Sequence, residues 1–272
     1  MSVENFGELT GDKNSATLPV VNTLMVLTLI IGSFLAIIAC WHGLAAPRLR
    51  KGPSGDPRVE LLRFVVHGYT RLFHQLKVEG LENLPETPPK GLLLISNHGS
   101  PLDPFLIQAS LPHLFIHWMM AKDQMGSDAR GFWEMLGIIP TDRIKGDTAA
   151  ALAAIRLLRR GKTVGLFPEG RLETAPDTLL PFQPGGGTLI SLSGAPVLMV
   201  CVDGTPRTET IAAAFFRRSR SRVRIIGLLE FGKGDDPDEI NRKLQQRMRS
   251  ESGWTQDNTP EPLIHDQDPF LS

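Results

Sequence analysis

Gly91-Leu92-Leu93-Leu94-Ile95-Ser96, followed at once by Asn97-His98-Gly99-Ser100-Pro101-Leu102-Asp103, is the stretch on which the reading of this chain turns. An apolar run this short, bounded by turn formers, suits a strand buried on both faces better than a helix. Such a strand belongs to a sheet covered by helices, and polar side chains just past its end are held at the sheet's carboxyl edge. Four residues separate His98 from Asp103, and Pro101 turns the chain between them, so the carboxylate can fold back onto the imidazole. An imidazole oriented by a carboxylate takes a proton from a hydroxyl near neutral pH. The same residues also fit a polar loop capping a helix, with Asp103 accepting backbone amides.

Downstream, strands and helices alternate. Phe105-Leu106-Ile107 begins a helix ending near Pro112, and Phe115 to Ala121 reads as a second buried strand. His113 and His117 share a face of that strand but stand about 13 Å apart by the rise per residue, too far to hold one ion. Gly131 to Leu136 reads as helix, and Gly137 to Arg143 as a strand presenting Arg143, with Lys145 close by. Asp147 caps a helix over Thr148 to Arg160 that Gly161 stops, and Thr163 to Phe167 is a strand running into Pro168-Glu169-Gly170-Arg171. The glycine-rich Pro181 to Thr188 opens a helix ending at Gly194, without the Lys-Ser/Thr that a phosphate loop requires. Pro196 to Val202 and Val223 to Phe231 read as strands, and Asp235 to Arg249 as a last amphipathic helix. The class is α/β: a mostly parallel sheet flanked by helices.

Upstream, no charged residue occurs from Thr17 to Trp41, long enough to span a bilayer. The acidic flank before it disfavours a cleavable signal peptide, and Arg48, Arg50 and Lys51 after it put the rest of the chain in the cytoplasm by the positive-inside rule. Residues 1–16 are then a short extracytoplasmic segment, 17–41 a single transmembrane anchor, 78–250 the main domain and 251–272 a loose acidic tail. In 56–77, Leu61, Leu62, Val65, Tyr69, Leu72, Phe73 and Leu76 recur at helical spacing among Arg58, Arg63, His67, Arg71, His74 and Lys77. Such a basic amphipathic helix either lies on an anionic membrane surface or packs on the domain.

The 272 residues, 42% of them hydrophobic, suffice for one large domain or two small ones. Of the 29 basic and 29 acidic side chains, one Lys and three acids fall in residues 1–47 and five acids in the last 22. Residues 48–250 thus hold 28 basic and 21 acidic groups, which favours anionic partners such as phosphates and lipid headgroups. Cys40 and Cys201 differ too much in context to suggest a bridge, which fits a reducing compartment. The Arg217, Arg218, Arg220, Arg222 and Arg224 cluster has only Phe215 and Phe216 as stacking partners. Membrane contact explains it more simply than nucleic acid does.

Four blocks in order resemble the membrane glycerolipid acyltransferases, the family of the 1-acylglycerol-3-phosphate acyltransferases. They are Asn97-His98 with Asp103-Pro104, Gly137 through Arg143, Phe167-Pro168-Glu169-Gly170, and Ala195-Pro196-Val197. The resemblance implies that His98 deprotonates a lysolipid hydroxyl that attacks an acyl thioester, with Asp103 orienting the ring and Ser100 not required as a nucleophile. It places Arg143 and Arg171 on the acceptor phosphate, and Asn97, Glu169 and Gly170 in the binding site. Glu169 would order its loop or meet a glycerol hydroxyl. It calls for no metal or cofactor; acyl-coenzyme A or acyl carrier protein is the co-substrate, and the product enters phospholipid biosynthesis. Where the family often reads Glu-Gly-Thr-Arg-Ser, this chain has Glu169-Gly170-Arg171-Leu172-Glu173, so another lysophospholipid or an amino-acid-based lipid stays open as acceptor. A membrane-bound thioester or lipid hydrolase would use the same His98 and Asp103 with water.

Overall fold

The computed structural model describes residues 17–126, 129–142, 148–173, 175, 177–208 and 210–257. The expected roles of Arg143, Lys145 and Asp147, and the segment 1–16, lie outside them. The chain divides into two compact units, one running to Arg58 and the other beginning at Val59.

In the first unit, α1 (Thr17–Cys40) continues through a π-helical turn, Trp41–Ala45, into α2 (Ala46–Leu49). Its apolar side chains, among them Met25, Leu29, Ile30, Phe34 and Ile37, are exposed, so this is not a core helix. The stretch Thr28–Leu49, from α1 through α2, is long and apolar enough to cross a membrane.

The second unit is a helix-covered sheet. It opens with α3 (Pro57–Phe73), β1 (Lys77–Glu79), β2 (Leu93–Ser96), α4 (Asp103–Ser110), β3 (Ile116–Ala121) and α5 (Arg130–Met135). After these come β4 (Ile139–Thr141), α6 (Thr148–Arg159), β5 (Thr163–Leu166), β6 (Thr178–Leu179) and α7 (Pro184–Ser193). It closes with β7 (Val197–Asp203), α8 (Ile211–Phe216), β8 (Arg222–Leu229), α9 (Pro237–Ser252) and β9 (Thr255–Gln256). Seven strands form one sheet in the order β1-β8-β7-β2-β5-β3-β4. The run from β7 to β4 is parallel, whereas β8 pairs antiparallel with β7 and parallel with β1. The α/β reading therefore holds.

The alternation of side chains along β2 explains the two-sided core. Leu93 and Ile95 face α6, α7 and α9 together with Val164, Val197 and Met199. Leu92 and Leu94 face the opposite layer, with Leu106 and Ile107 of α4 and with Ile116, Trp118 and Val200. With both faces covered, the strand has no polar side to write into the sequence.

Several boundaries differ from the sequence reading. The amphipathic helix stops at Phe73, not residue 77, because Gln75 turns with positive φ and Lys77 already pairs with Arg222 in the sheet. β1 is short, since Gly80, at φ +73°, leads into a 3₁₀ turn at Leu81–Asn83. His113 precedes β3, and His117 bonds through Nδ1 to the Gly137 carbonyl at 2.9 Å. A short helix, α8, precedes the arginine cluster. The tail expected from residue 251 is ordered at its start: α9 runs to Ser252, and Thr255 and Gln256 pair with Thr178 and Leu179.

α3 is amphipathic in the opposite sense to a helix of a soluble protein. Its polar groups face the domain: Arg63 donates to the Pro112 and Leu114 carbonyls at 2.7 and 2.8 Å, His67 to the Ala109 carbonyl at 2.9 Å, and the Tyr69 hydroxyl to the Phe215 carbonyl. Its apolar groups face outward, with Leu61 and Val65 exposed, Phe64 76% exposed and Leu72 81%.

The glycines at the head of α7 serve helix packing. A Cβ added to Gly187 would lie 2.1 Å from the Pro237 carbonyl oxygen of α9, a backbone atom that cannot swing away. Gly187→Ala should therefore lower unfolding stability by about 3 kcal/mol, the upper range for overpacking, as read from denaturant unfolding in detergent. The exposed Gly185, with open space around it, serves as the control: Gly185→Ala should leave the transition unmoved.

Candidate active site

Three loops leave the carboxyl ends of adjacent strands β5, β2 and β7 and meet over the middle of the sheet. Asn97, the first residue beyond β2, is fully buried. Its amide accepts from Val202 N and donates to Val202 O, both at 2.8 Å. Asn97 thus clamps β2 to β7, and both ends of its amide are spent on the Val202 backbone.

The clamp fixes His98, which follows. Its Nδ1 lies 3.1 Å from Asp103 Oδ2. A carboxylate only accepts, so Nδ1 carries the proton and Nε2 keeps its lone pair. The same Asp103 oxygen accepts from Gly99 N and Ser100 N, each at 2.8 Å, and the Asp103 side chain is wholly buried. Asp103 opens α4, with Pro104 next to it, so the carboxylate also meets the positive end of that helix. The imidazole itself is 19% exposed, open to an incoming group. Behind it stands an aromatic column: Phe167 stacks on the ring with centroids 4.0 Å apart and planes 12° apart, and Trp118 stacks on Phe167 at 4.8 Å and 7°. A stacked ring leaves the imidazole little freedom to rotate.

The loop after β5 closes the second wall. Glu169 is buried, and its carboxylate accepts from His98 N at 2.9 Å and Leu180 N at 2.8 Å. Both oxygens are engaged with backbone, an arrangement that orders the loop. Burial, opposed by these two bonds, pushes its carboxyl up to about 8, with Glu173 and Asp103 adding to the rise. Gly170, at φ +73°, turns the chain so that Arg171 emerges half-buried at the bend. Ser100 is buried and donates to the Pro206 carbonyl at 2.6 Å, which commits its hydroxyl to structure.

Two residues that the sequence did not single out complete the site. Glu173 donates its backbone N–H to the His98 carbonyl at 2.9 Å, and its carboxylate pairs with Arg207 Nη2 at 2.6 Å. Glu173 was visible only as a departure from Glu-Gly-Thr-Arg-Ser, and Arg207 lies in a loop with no motif. The arginine cluster beyond that loop is largely engaged: Arg222 and Arg224 with Asp203, Arg218 over the Phe73 ring, and Arg217 with the Arg207 carbonyl.

Residues 75–203 match the family model described as Acyltransferase. The 1-acyl-sn-glycerol-3-phosphate acyltransferase of Bacillus subtilis is 27% identical over 130 residues, 47% of this chain and 63% of that protein. The enzyme of the same name from Borreliella burgdorferi is 26% identical over 132 residues, 47% of this chain and 51% of that protein. The chain thus spans between half and two thirds of the length of these two relatives. The crystal structure of the 1-acyl-sn-glycerophosphate (LPA) acyltransferase PlsC from Thermotoga maritima has the same fold. It superposes with a TM-score of 0.56 at 18% identity, covering 84% of this chain and 94% of that one. The matched segment holds β2, the His98 and Asp103 pair and the Phe167 to Gly170 block, so it is the part of the chain around the candidate site that is similar to the acyltransferases.

Proposed function

We propose that the chain transfers a fatty acyl group from a thioester of coenzyme A or acyl carrier protein to the free hydroxyl of a 1-acylglycerol-3-phosphate, making phosphatidic acid. The observation that carries this reading is the bond from His98 Nδ1 to the buried Asp103, which leaves Nε2 as a base. Nε2 takes the hydroxyl proton as the acceptor oxygen attacks the thioester carbonyl, so the C–O bond forms and the carbonyl electrons move to oxygen. Collapse breaks the C–S bond, and the imidazolium returns its proton to the departing thiolate. Asp103 stabilises the imidazolium between these steps. Phe167, stacked on the ring, holds the imidazole plane in place. Arg171 and Arg143 are assigned to anion binding by family resemblance.

The acceptor and product of this reaction are lipids, and two features support a membrane location. The helical run Thr28–Leu49, from α1 through α2, has the length and apolar exposure of a membrane span. The outward apolar face of α3, beside Arg71, suits the surface of an anionic leaflet. Arg48, Arg50 and Lys51 support the cytoplasmic side for that leaflet.

Transfer of labelled acyl-coenzyme A to lysophosphatidic acid tests the reading. His98→Ala should lower kcat by about 10³-fold or more, the range for losing a general base, with folding unchanged by circular dichroism. Free fatty acid as the sole product would instead assign a hydrolase, and transfer insensitive to His98→Ala would overturn the mechanism. Phe167→Leu keeps the volume but not the stacked plane. It should reduce kcat by about tenfold through misplacement of the base while KM stays within about twofold.

A further inference from the structure

The Glu173 and Arg207 pair has features of a displaceable contact. Glu173 is 5% exposed, whereas the guanidinium it holds is 42% exposed. The carboxylate lies over the catalytic loop: a Cβ added to Gly99 would come within 2.8 Å of its Oε1. Its other oxygen, Oε2, is buried and has no hydrogen-bond partner among the described residues. A buried carboxylate with half its acceptors unmet is an expensive anion to keep. Arg207, in contrast, is firmly sited. The preceding carbonyl, of Pro206, is held by Ser100 Oγ at 2.6 Å, and its own carbonyl by Arg217 Nη1 at 2.8 Å. A cation on a fixed backbone beside the His98 loop is thus neutralised by a partner that loses little on release.

We propose that Arg207 binds the phosphate of the acceptor, and that Glu173 is a positioning residue that holds the guanidinium in place until that phosphate displaces it. This rests on the acyltransferase reading and extends it to residues outside the family blocks. The planar guanidinium fork matches two phosphate oxygens at once, and such charge-assisted pairs are among the strongest hydrogen bonds. A cation is needed on this side, because the buried Asp103 carboxylate next to His98 would repel a phosphate. Once Arg207 turns away, Glu173 takes up a proton. Burial already holds its carboxyl up at about 7 against the lowering influence of Arg207, so the exchange needs no strongly acidic medium. The attacking hydroxyl and the phosphate of the acceptor are a few bonds apart. His98 and Arg207 lie on loops tied to each other through Ser100 and Pro206.

The test uses the full chain in detergent micelles and measures both binding and acyl transfer for lysophosphatidic acid and for monoacylglycerol with the same acyl chain. Arg207→Gln should weaken lysophosphatidic acid binding about tenfold, the loss of one charge-assisted contact. It should raise KM with kcat within about threefold, leave monoacylglycerol within twofold, and Arg207→Lys should recover part of the loss. Glu173→Gln, which removes the competitor, should tighten lysophosphatidic acid binding a few-fold. Thermal unfolding midpoints identify any variant that fails to fold. Equal loss for both acceptors, or lysophosphatidic acid binding indifferent to Arg207, would overturn the proposal. Loss of coenzyme A binding with lysophosphatidic acid affinity kept would assign Arg207 to the donor's phosphates, and would also overturn it. Arg207-dependent binding of lysophosphatidic acid without any acyl transfer would support the phosphate site and count against the proposed reaction instead.

Discussion

One oxygen of one buried carboxylate organises this site. Asp103 Oδ2 collects the His98 imidazole and the backbone N–H groups of Gly99 and Ser100. A carboxylate taken out of water is tolerated only where donors replace it, and here the donors come from the loop that the carboxylate has to shape. The interaction therefore fixes two things together, the path of residues 97 to 103 and the tautomer of His98. Because Asp103 also opens α4, the position of that helix against the sheet is coupled to the orientation of the imidazole.

Three acids crowd this end of the sheet, and the fold treats each differently. Asp103 gathers three donors on one oxygen and serves His98. Glu169 gives both oxygens to backbone groups from His98 and Leu180, and burial raises its carboxyl to about 8, so it works as a buried strut near neutral pH. Glu173, by contrast, is held from outside by a half-exposed guanidinium, a partner that can be exchanged. Chemically alike side chains thus divide into an orienting group, a structural clamp and a counterion, according to the donors that reach them.

The helix preceding the sheet domain shows the same dependence on surroundings. Arg63, His67 and Tyr69 of α3 spend their hydrogen-bonding groups on backbone carbonyls of the domain, and Phe64 and Leu72 are left outside. In water that arrangement would expose a costly apolar stripe. Against acyl chains the same stripe is favourable, which fits an enzyme whose proposed acceptor resides in the bilayer.

What the sequence determined by itself was the part written in local pattern. The doubly buried β2 run, the alternation of elements, the uncharged stretch in α1 and the spacing of His98 from Asp103 all depend on neighbours within a few residues, and each was legible. The orientation of Asn97 and Glu169 was not. Asn97 stood in a shared motif as a ligand contact and Glu169 as a loop-ordering group or a hydroxyl contact, and each turns inward to backbone groups brought by another strand: Val202 of β7 in one case, His98 after β2 in the other. Arg207 was hidden for the same reason. Its closeness to the catalytic loop exists only because β7 pairs with β2, although some hundred residues separate them in the chain. Strand order is decided by how the whole set of apolar faces packs, so only the tertiary structure could place that third loop, and with it the phosphate-binding role proposed here, beside His98.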